Sequence, residues 1–205
     1  MSTIANLNAT PGNTPIHPDD AVKLIPNLSI KRELDEWEAR NILIAQNWAF
    51  NSRVMKTRDP LDEIYLRELH KRMFNRTWKW AGTYRKRDLD INIGCRVAEI
   101  YERIGVLLGD ARFWIEHDTF SIDETAVRFH HRLVGTIHAF PNGNGRHARL
   151  LANVIAVKHG AARFTWGRAN MGVAGGPVRE AYFAALHSLD NNDANIQPLL
   201  NFARS

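Results

Sequence analysis

The residues best suited to chemistry lie in one run: His138-Ala139-Phe140-Pro141-Asn142-Gly143-Asn144-Gly145-Arg146-His147-Ala148-Arg149. Gly143 and Gly145 let the backbone come close to a ligand, and a helix starting there turns unpaired N–H groups toward it. Such a start favours anions. Arg146 and Arg149, three positions apart, share a helix face from which two guanidinium groups can hold successive phosphates. His138 precedes them as a titratable group suited to proton transfer near neutrality. A base, an amide-rich cradle and two arginines describe phosphoryl or nucleotidyl transfer. An ordinary interhelical turn fits the same residues, since Asn-Gly pairs mark tight turns, and residue types alone leave both open. A Walker loop does not fit, because no Gly-Lys-Ser/Thr follows and no strand precedes.

Helices must position this loop. Ser121-Ile122-Asp123-Glu124 has the form of a capping box and opens a helix through Phe129, Leu133 and Ile137, which delivers His138. After the loop, Leu150, Leu151, Val154 and Ile155 predict a second helix that stops at Gly160. Earlier helices are expected from Ser29, with Leu34, Trp37, Ile44, Ala45 and Trp48 inward, and from Asp59-Pro60, with Leu61, Tyr65, Leu69 and Met73 inward. Another runs from about Val97 with Ile100, Ile104, Leu107, Ala111 and Trp114 on one side. Pro177 opens a sixth, and a short seventh covers Pro198 to Ala203. Alternation in Asp88-Leu89-Asp90-Ile91-Asn92-Ile93 predicts one extended segment. The expected fold is all-α, about seven helices with a small β-hairpin flap, as one domain over 21–205 behind an irregular arm over 1–20.

Composition narrows the class. The chain has 205 residues, 44% hydrophobic and 24% charged, within the globular range. No apolar run nears the ~20 residues that span a bilayer, and Met1 to Pro18 carries no readable secretory signal. One cysteine, Cys95, excludes an internal disulfide framework and a cysteine-rich zinc site. A cytoplasmic protein without a membrane partner is expected. Lys and Arg exceed Asp and Glu by 27 to 22, a balance that suits nucleic acid, a nucleotide or an acidic protein.

The loop resembles the His-Pro-Phe-x-Asp/Glu-Gly-Asn-Gly-Arg-x-x-Arg motif of Fic (Fido) proteins, matching at His138, Phe140, Gly143, Asn144, Gly145, Arg146 and Arg149. Trp78 to Arg85 is similar to the Trp-x-x-Ala-Gly-x-x-Arg segment before the Fic flap. Arg179, Tyr182, Ala185, Leu186 and Pro198-Leu199 resemble the family's C-terminal helices. The flanks His130-His131 and His147 to Leu150 are similar to the bacterial mobile mystery protein B subgroup. This resemblance implies a protein adenylyltransferase that moves AMP from ATP to a hydroxyl of a protein target, with self-modification. His138 would be the general base. Phe140, Asn142, Gly143, Asn144, Gly145, Arg146 and Arg149 would bind the nucleotide. Asp90, Ile91, Asn92, Ile93 and Gly94 would form the flap that clamps an unidentified target by backbone pairing.

Two positions depart from the motif: Ala139 replaces Pro, and Asn142 replaces the acidic metal ligand. Asn142 is therefore a weak candidate for Mg²⁺, with an amide oxygen but no charge. The resemblance also implies an inhibitory helix, whose Ser/Thr-x-x-x-Glu-Gly/Asn pattern Ser29 to Glu33 follows until Leu34. Glu33 or Glu38 would pair with Arg149 in the seat of the γ-phosphate. A solvated acidic face is the alternative, and a separate regulatory partner protein would then be the brake. Other functions consistent with the residues are a Doc-like protein kinase, disfavoured by the intact Gly145, and a weakly catalytic nucleotide-binding regulatory module. Nucleic acid is not expected as a direct ligand. His130 and His131 point apart and suit packing; His147 is expected in solvent, as is the basic run Arg85-Lys86-Arg87. The six tryptophans are expected in the core.

Overall fold

The structure is a computed structural model that describes residues 16–28, 30–89, 93–167, 176–190 and 195–205. Among these, the α-helices are α1 (Pro18–Ala21), α2 (Lys31–Ala49), α3 (Ser52–Thr57), α4 (Glu63–Phe74), α5 (Ile100–Glu116), α6 (Ile122–His131), α7 (Asn144–Lys158), α8 (Pro177–Asp190) and α9 (Gln197–Arg204). A single π turn, Arg132–Ile137, continues α6. The all-α expectation holds, and no strand forms among the described residues; their one β contact is an isolated antiparallel bridge between Leu24 and Trp78. The hairpin flap is not seen. Asp88, Leu89 and Ile93 are irregular, and Asp90, Ile91 and Asn92 lie outside the described residues.

The stripes read from sequence bury where period and capping agree. Ser121 Oγ accepts the Glu124 N–H at 3.2 Å, so the capping box starts α6 as expected. Ile100, Ile104, Leu107 and Ala111 of α5 are buried, as are Tyr65, Leu69 and Met73 of α4. The start of α4 differs. Asp62 caps it by accepting from Ile64 N–H at 2.9 Å, while Asp59 accepts from Leu61 N–H at 2.9 Å and only holds a turn. Two short helices, α1 and α3, add to the expected seven; α3 buries none of its residues, so it carries no apolar stripe to read.

In α2 the buried stripe is rotated from the expected one. Leu34, Glu38, Asn41, Ala45 and Ala49 face inward, whereas Trp37 and Ile44 are exposed. Polar partners across the interface explain the rotation. Asn41 Nδ2 donates to Thr77 Oγ1 at 3.1 Å and Trp78 Nε1 donates to Glu38 Oε1 at 2.6 Å, so two buried polar side chains are satisfied on that face. Trp37 stays at the rim, where its Nε1 donates to the Arg76 carbonyl at 3.1 Å. Trp78, Trp80 and Trp166 are buried as expected, with Trp48 and Trp114 partly buried against the core. α2 packs on α4, α6 on α7 and α8 on α9. α7 is the central rod, with Ala148, Leu151, Ala152, Ile155 and Ala156 fully buried, and its N-terminus carries the loop.

Candidate active site

The widened π turn lifts the chain out of α6 into a left-handed residue, His138, at φ 49° and ψ 57°. A non-glycine residue there costs roughly 1–2 kcal/mol, so neighbours must hold it. They do: His138 N–H donates to the Leu133 carbonyl at 3.0 Å, and Arg85 Nε donates to the His138 carbonyl at 2.9 Å. Arg85 is buried, not solvated. Its backbone N–H also donates to Ala139 O at 2.9 Å, and its guanidinium reaches the carbonyls of Arg87 and Cys95. Gly94 and Cys95 lie along the same strip, with Gly94 N–H on Gly135 O at 2.9 Å and Cys95 N–H on Ile137 O at 3.3 Å.

His138 is buried, and its Nδ1 lies 2.8 Å from the Val134 carbonyl. A carbonyl only accepts, so Nδ1 carries the proton and Nε2 carries the lone pair. Burial lowers its pKa to about 4, with Arg85 adding to the depression and the Val134 bond opposing it. The ring is therefore neutral at neutral pH, with its lone pair on Nε2, rather than a group titrating near neutrality. A polyanion bound beside it would raise that value.

Beyond His138 the motif divides into groups that build the loop and groups that face outward. Phe140, expected at the nucleotide, is fully buried and stacks on His70 at 3.7 Å, so it anchors the loop to α4. Asn144 braces the turn: its Oδ1 accepts Phe140 N–H at 2.9 Å and its Nδ2 donates to Phe140 O at 2.8 Å. His147, expected in solvent, is fully buried with Nε2 on the Leu66 carbonyl at 2.9 Å. Gly143 takes φ +80°, and a Cβ there would stand 2.5 Å from Phe74 Cζ. A Cβ on Gly145 would meet nothing closer than Arg149 Nη1 at 3.6 Å. Gly143→Ala is accordingly expected to destabilise by at least the roughly 1–2 kcal/mol of a left-handed alanine, with Gly145→Ala within ~0.5 kcal/mol of wild type. Equal melting temperatures for the two variants would refute this division.

Three arginines converge at the start of α7. Arg146 lies 4.9 Å over the Phe74 ring and Arg149 lies 5.2 Å over Tyr182, whose hydroxyl meets His130 Nε2 at 3.0 Å. Arg179 of α8 joins them; burial lowers its pKa first, and the like charges of Arg149 and Arg146 lower it further. In the sequence, Arg179 stands out only through the C-terminal resemblance, because nothing local marks it as facing α7. The acidic helix meets this cluster differently from expectation. Glu33 is exposed, while Glu38, 3% exposed, pairs with Arg146 rather than with Arg149. A sequence signal existed: Glu38 lies four positions after Leu34 and seven before Ala45, on the period of the buried face.

Asn142, the metal candidate, places its Oδ1 3.3 Å from Arg146 Nη2. One neutral amide oxygen beside a guanidinium does not make a resident magnesium site, which needs several oxygen donors. Among the described residues, no group of three or more His, Cys, Asp or Glu could hold a metal ion.

Buried neutral histidines tie the site to acid stability. Burial lowers the pKa of His70, His130, His138 and His147, the last two to about 4. Unfolded, they titrate near ~6.5, so between the two values the unfolded chain binds more protons. Stability is then full above about pH 6.5 and falls as pH drops toward about 4, each histidine adding up to about 1.4 kcal/mol per pH unit. Urea midpoints should drop between about pH 7 and about pH 5; an unchanged midpoint would contradict the assignment.

The chain is similar to known proteins in sequence profile and in fold. The sequence profile of the Fic/DOC family matches residues 60–156. No curated protein matches the chain. Among solved structures, BepC of Bartonella tribocorum with bound AMPPNP superposes with a TM-score of 0.66 at 16% identity, over 92% of this chain and 97% of that one. The N-terminal Fic domain of a Bartonella quintana protein with bound ADP gives 0.64 at 18% identity, over 89% and 88%. Fic-1 of Caenorhabditis elegans (C. elegans) gives 0.59 at 23% identity, over 90% of this chain and 51% of that one. The matched segment runs from the start of α4 to the buried rod α7 and contains His138 and the whole loop, so residues 60–156 belong to the Fic/DOC family.

Proposed function

We propose that this chain is a protein adenylyltransferase, moving AMP from ATP to a hydroxyl of a protein target and to itself. The observation that carries it is His138 Nε2, a neutral lone pair set just ahead of a helix start on which Arg146, Arg149 and Arg179 converge. A base beside a polycationic pocket suits transfer from a polyphosphate. ADP and AMPPNP in the two Bartonella structures support a nucleotide as ligand. In the reaction, Nε2 takes the target hydroxyl proton, the oxygen bonds to the α-phosphorus, and the bond to the β-phosphate bridge breaks, releasing pyrophosphate. Helix-start amides and arginines hold the charge that builds on the phosphate oxygens. Any Mg²⁺ arrives with ATP as part of the substrate, and no step depends on Asn142 as its ligand. Gly94 and Cys95 are tied to the π turn that delivers His138, which supports a target segment held beside His138 by backbone pairing.

Glu38 restrains this activity, because its carboxylate occupies the Arg146 fork that a phosphate would take. The test is incubation with ATP labelled at the α- or the γ-phosphate. Protein labelled from the α position is expected. Label from the γ position would make the chain a kinase of the Doc kind, and label from neither would make it a regulatory binder.

A further inference from the structure

His70, in the middle of α4, is fully buried. Its Nδ1 accepts the Gly82 N–H at 3.0 Å, so that nitrogen bears the lone pair and the ring proton sits on Nε2. Nε2–H therefore donates to the Asn142 carbonyl at 3.1 Å. The ring plane is fixed as well, stacked on Phe140 at 11° and met edge-on by His147 at 5.4 Å. Burial, with His147 and Arg146 nearby, holds its pKa well below the ordinary value, so this donor-acceptor arrangement persists at neutral pH.

The bond to Asn142 has a consequence one atom further on. In a planar trans peptide, the carbonyl and the next N–H point in opposite directions. With the Asn142 carbonyl turned inward to His70, the Gly143 N–H is turned outward, away from the core. Glycine makes the opposite arrangement accessible. Flipping the peptide would carry Gly143 from φ +80° to about −100°, which glycine also accepts. A flipped peptide would aim a carbonyl, not an N–H, at an anion. Something must select between the two, and the His70 donor favours the first.

We propose that His70 is a positioning residue that latches the Asn142–Gly143 peptide, keeping the Gly143 N–H outward as a donor to the nucleotide phosphates. The proposal rests on the nucleotide reading above. It also gives the conformational link between Gly82 and the loop a purpose, since one imidazole satisfies both at once.

The test compares His70→Gln, whose carboxamide N–H reaches toward Asn142, with His70→Asn, which offers Gly82 an acceptor but cannot reach Asn142. Dissociation constants for ADP and for adenosine are measured calorimetrically on the full chain, and the Gly143 amide resonance is followed on adding ADP. A charge-assisted hydrogen bond is worth ~1.5–3 kcal/mol, so His70→Asn should weaken ADP roughly 10- to 100-fold. Adenosine binding should stay within about 2-fold, and His70→Gln should recover most of the ADP affinity. In wild type the Gly143 amide should shift with ADP. Equal ADP affinity in a folded His70→Asn, or parallel loss of ADP and adenosine in both variants, would overturn the latch. Should His70→Asn fail to fold, the wild-type resonance decides, because an unmoved Gly143 amide in an ADP-bound protein overturns the latch alone. A wild-type chain that binds no ADP overturns the nucleotide reading and the latch with it.

Discussion

Replacing His138 with alanine is expected to reduce AMP transfer by ~10²–10⁴-fold while leaving ATP affinity close to wild type. The two effects separate because, in the proposed mechanism, the phosphate donors are the helix start and Arg146, Arg149 and Arg179, not the imidazole. Nε2 is the only ring nitrogen with a lone pair, since Nδ1–H is committed to Val134 at 2.8 Å. The pH profile gives a second signature. With the pKa held at about 4 by burial, the base form is present throughout the neutral range in the free protein. The kcat/KM profile should therefore keep its plateau down to about pH 5 as far as this group is concerned and fall as pH approaches about 4. In the kcat profile, the acid limb should move upward, because bound phosphates stabilise the imidazolium. Initial rates of labelled self-modification across this range measure both limbs. Wild-type transfer rates in His138→Ala would remove the base from the mechanism.

Glu38→Gln is expected to raise self-modification and ATP affinity by roughly 10- to 100-fold, the worth of one freed charge-assisted fork. Glutamine keeps an acceptor for Trp78 Nε1, which donates to Glu38 at 2.6 Å, so the buried interface of α2 stays satisfied. What it removes is the charge that pairs with Arg146. Glu38→Gly should act in the same direction at a greater loss of stability, because it leaves the indole N–H buried without an acceptor. Glu33→Gly should change neither quantity, since Glu33 is exposed. Arg146→Ala should abolish the gain from Glu38→Gln, which distinguishes release of Arg146 from a general loosening of α2. If Glu38→Gln modifies itself no faster than wild type, the N-terminal helix is not the brake and a separate partner protein takes that place.

The amino-acid sequence by itself determined the helical class, the positions of α5, α6 and α7, and the identity of the loop. These are local properties. A capping box, a stripe at helical period or a glycine-rich turn is decided by residues a few positions apart, so Ser121, Ile104 and Gly160 can be read directly. The loop's family motif was equally legible, but its internal division of labour was not. Phe140 and Asn144 look like ligand residues in a motif, yet the tertiary structure commits one to a ring stack and the other to the loop's own backbone. Periodicity says which residues share a face, not which face is buried. That is why Trp37 and Ile44 were expected inside α2 while Glu38 and Asn41 take those places. Tertiary structure alone settled the tautomer of His138, the inward turn of the Asn142 carbonyl to His70 and the pairing of Glu38 with Arg146. Each depends on a partner distant in sequence or on a backbone turn that no local pattern encodes. Glu38 and Arg146 stand 108 positions apart, and only the tertiary fold, with α2 packed on α4, brings the buried carboxylate to the half-buried guanidinium.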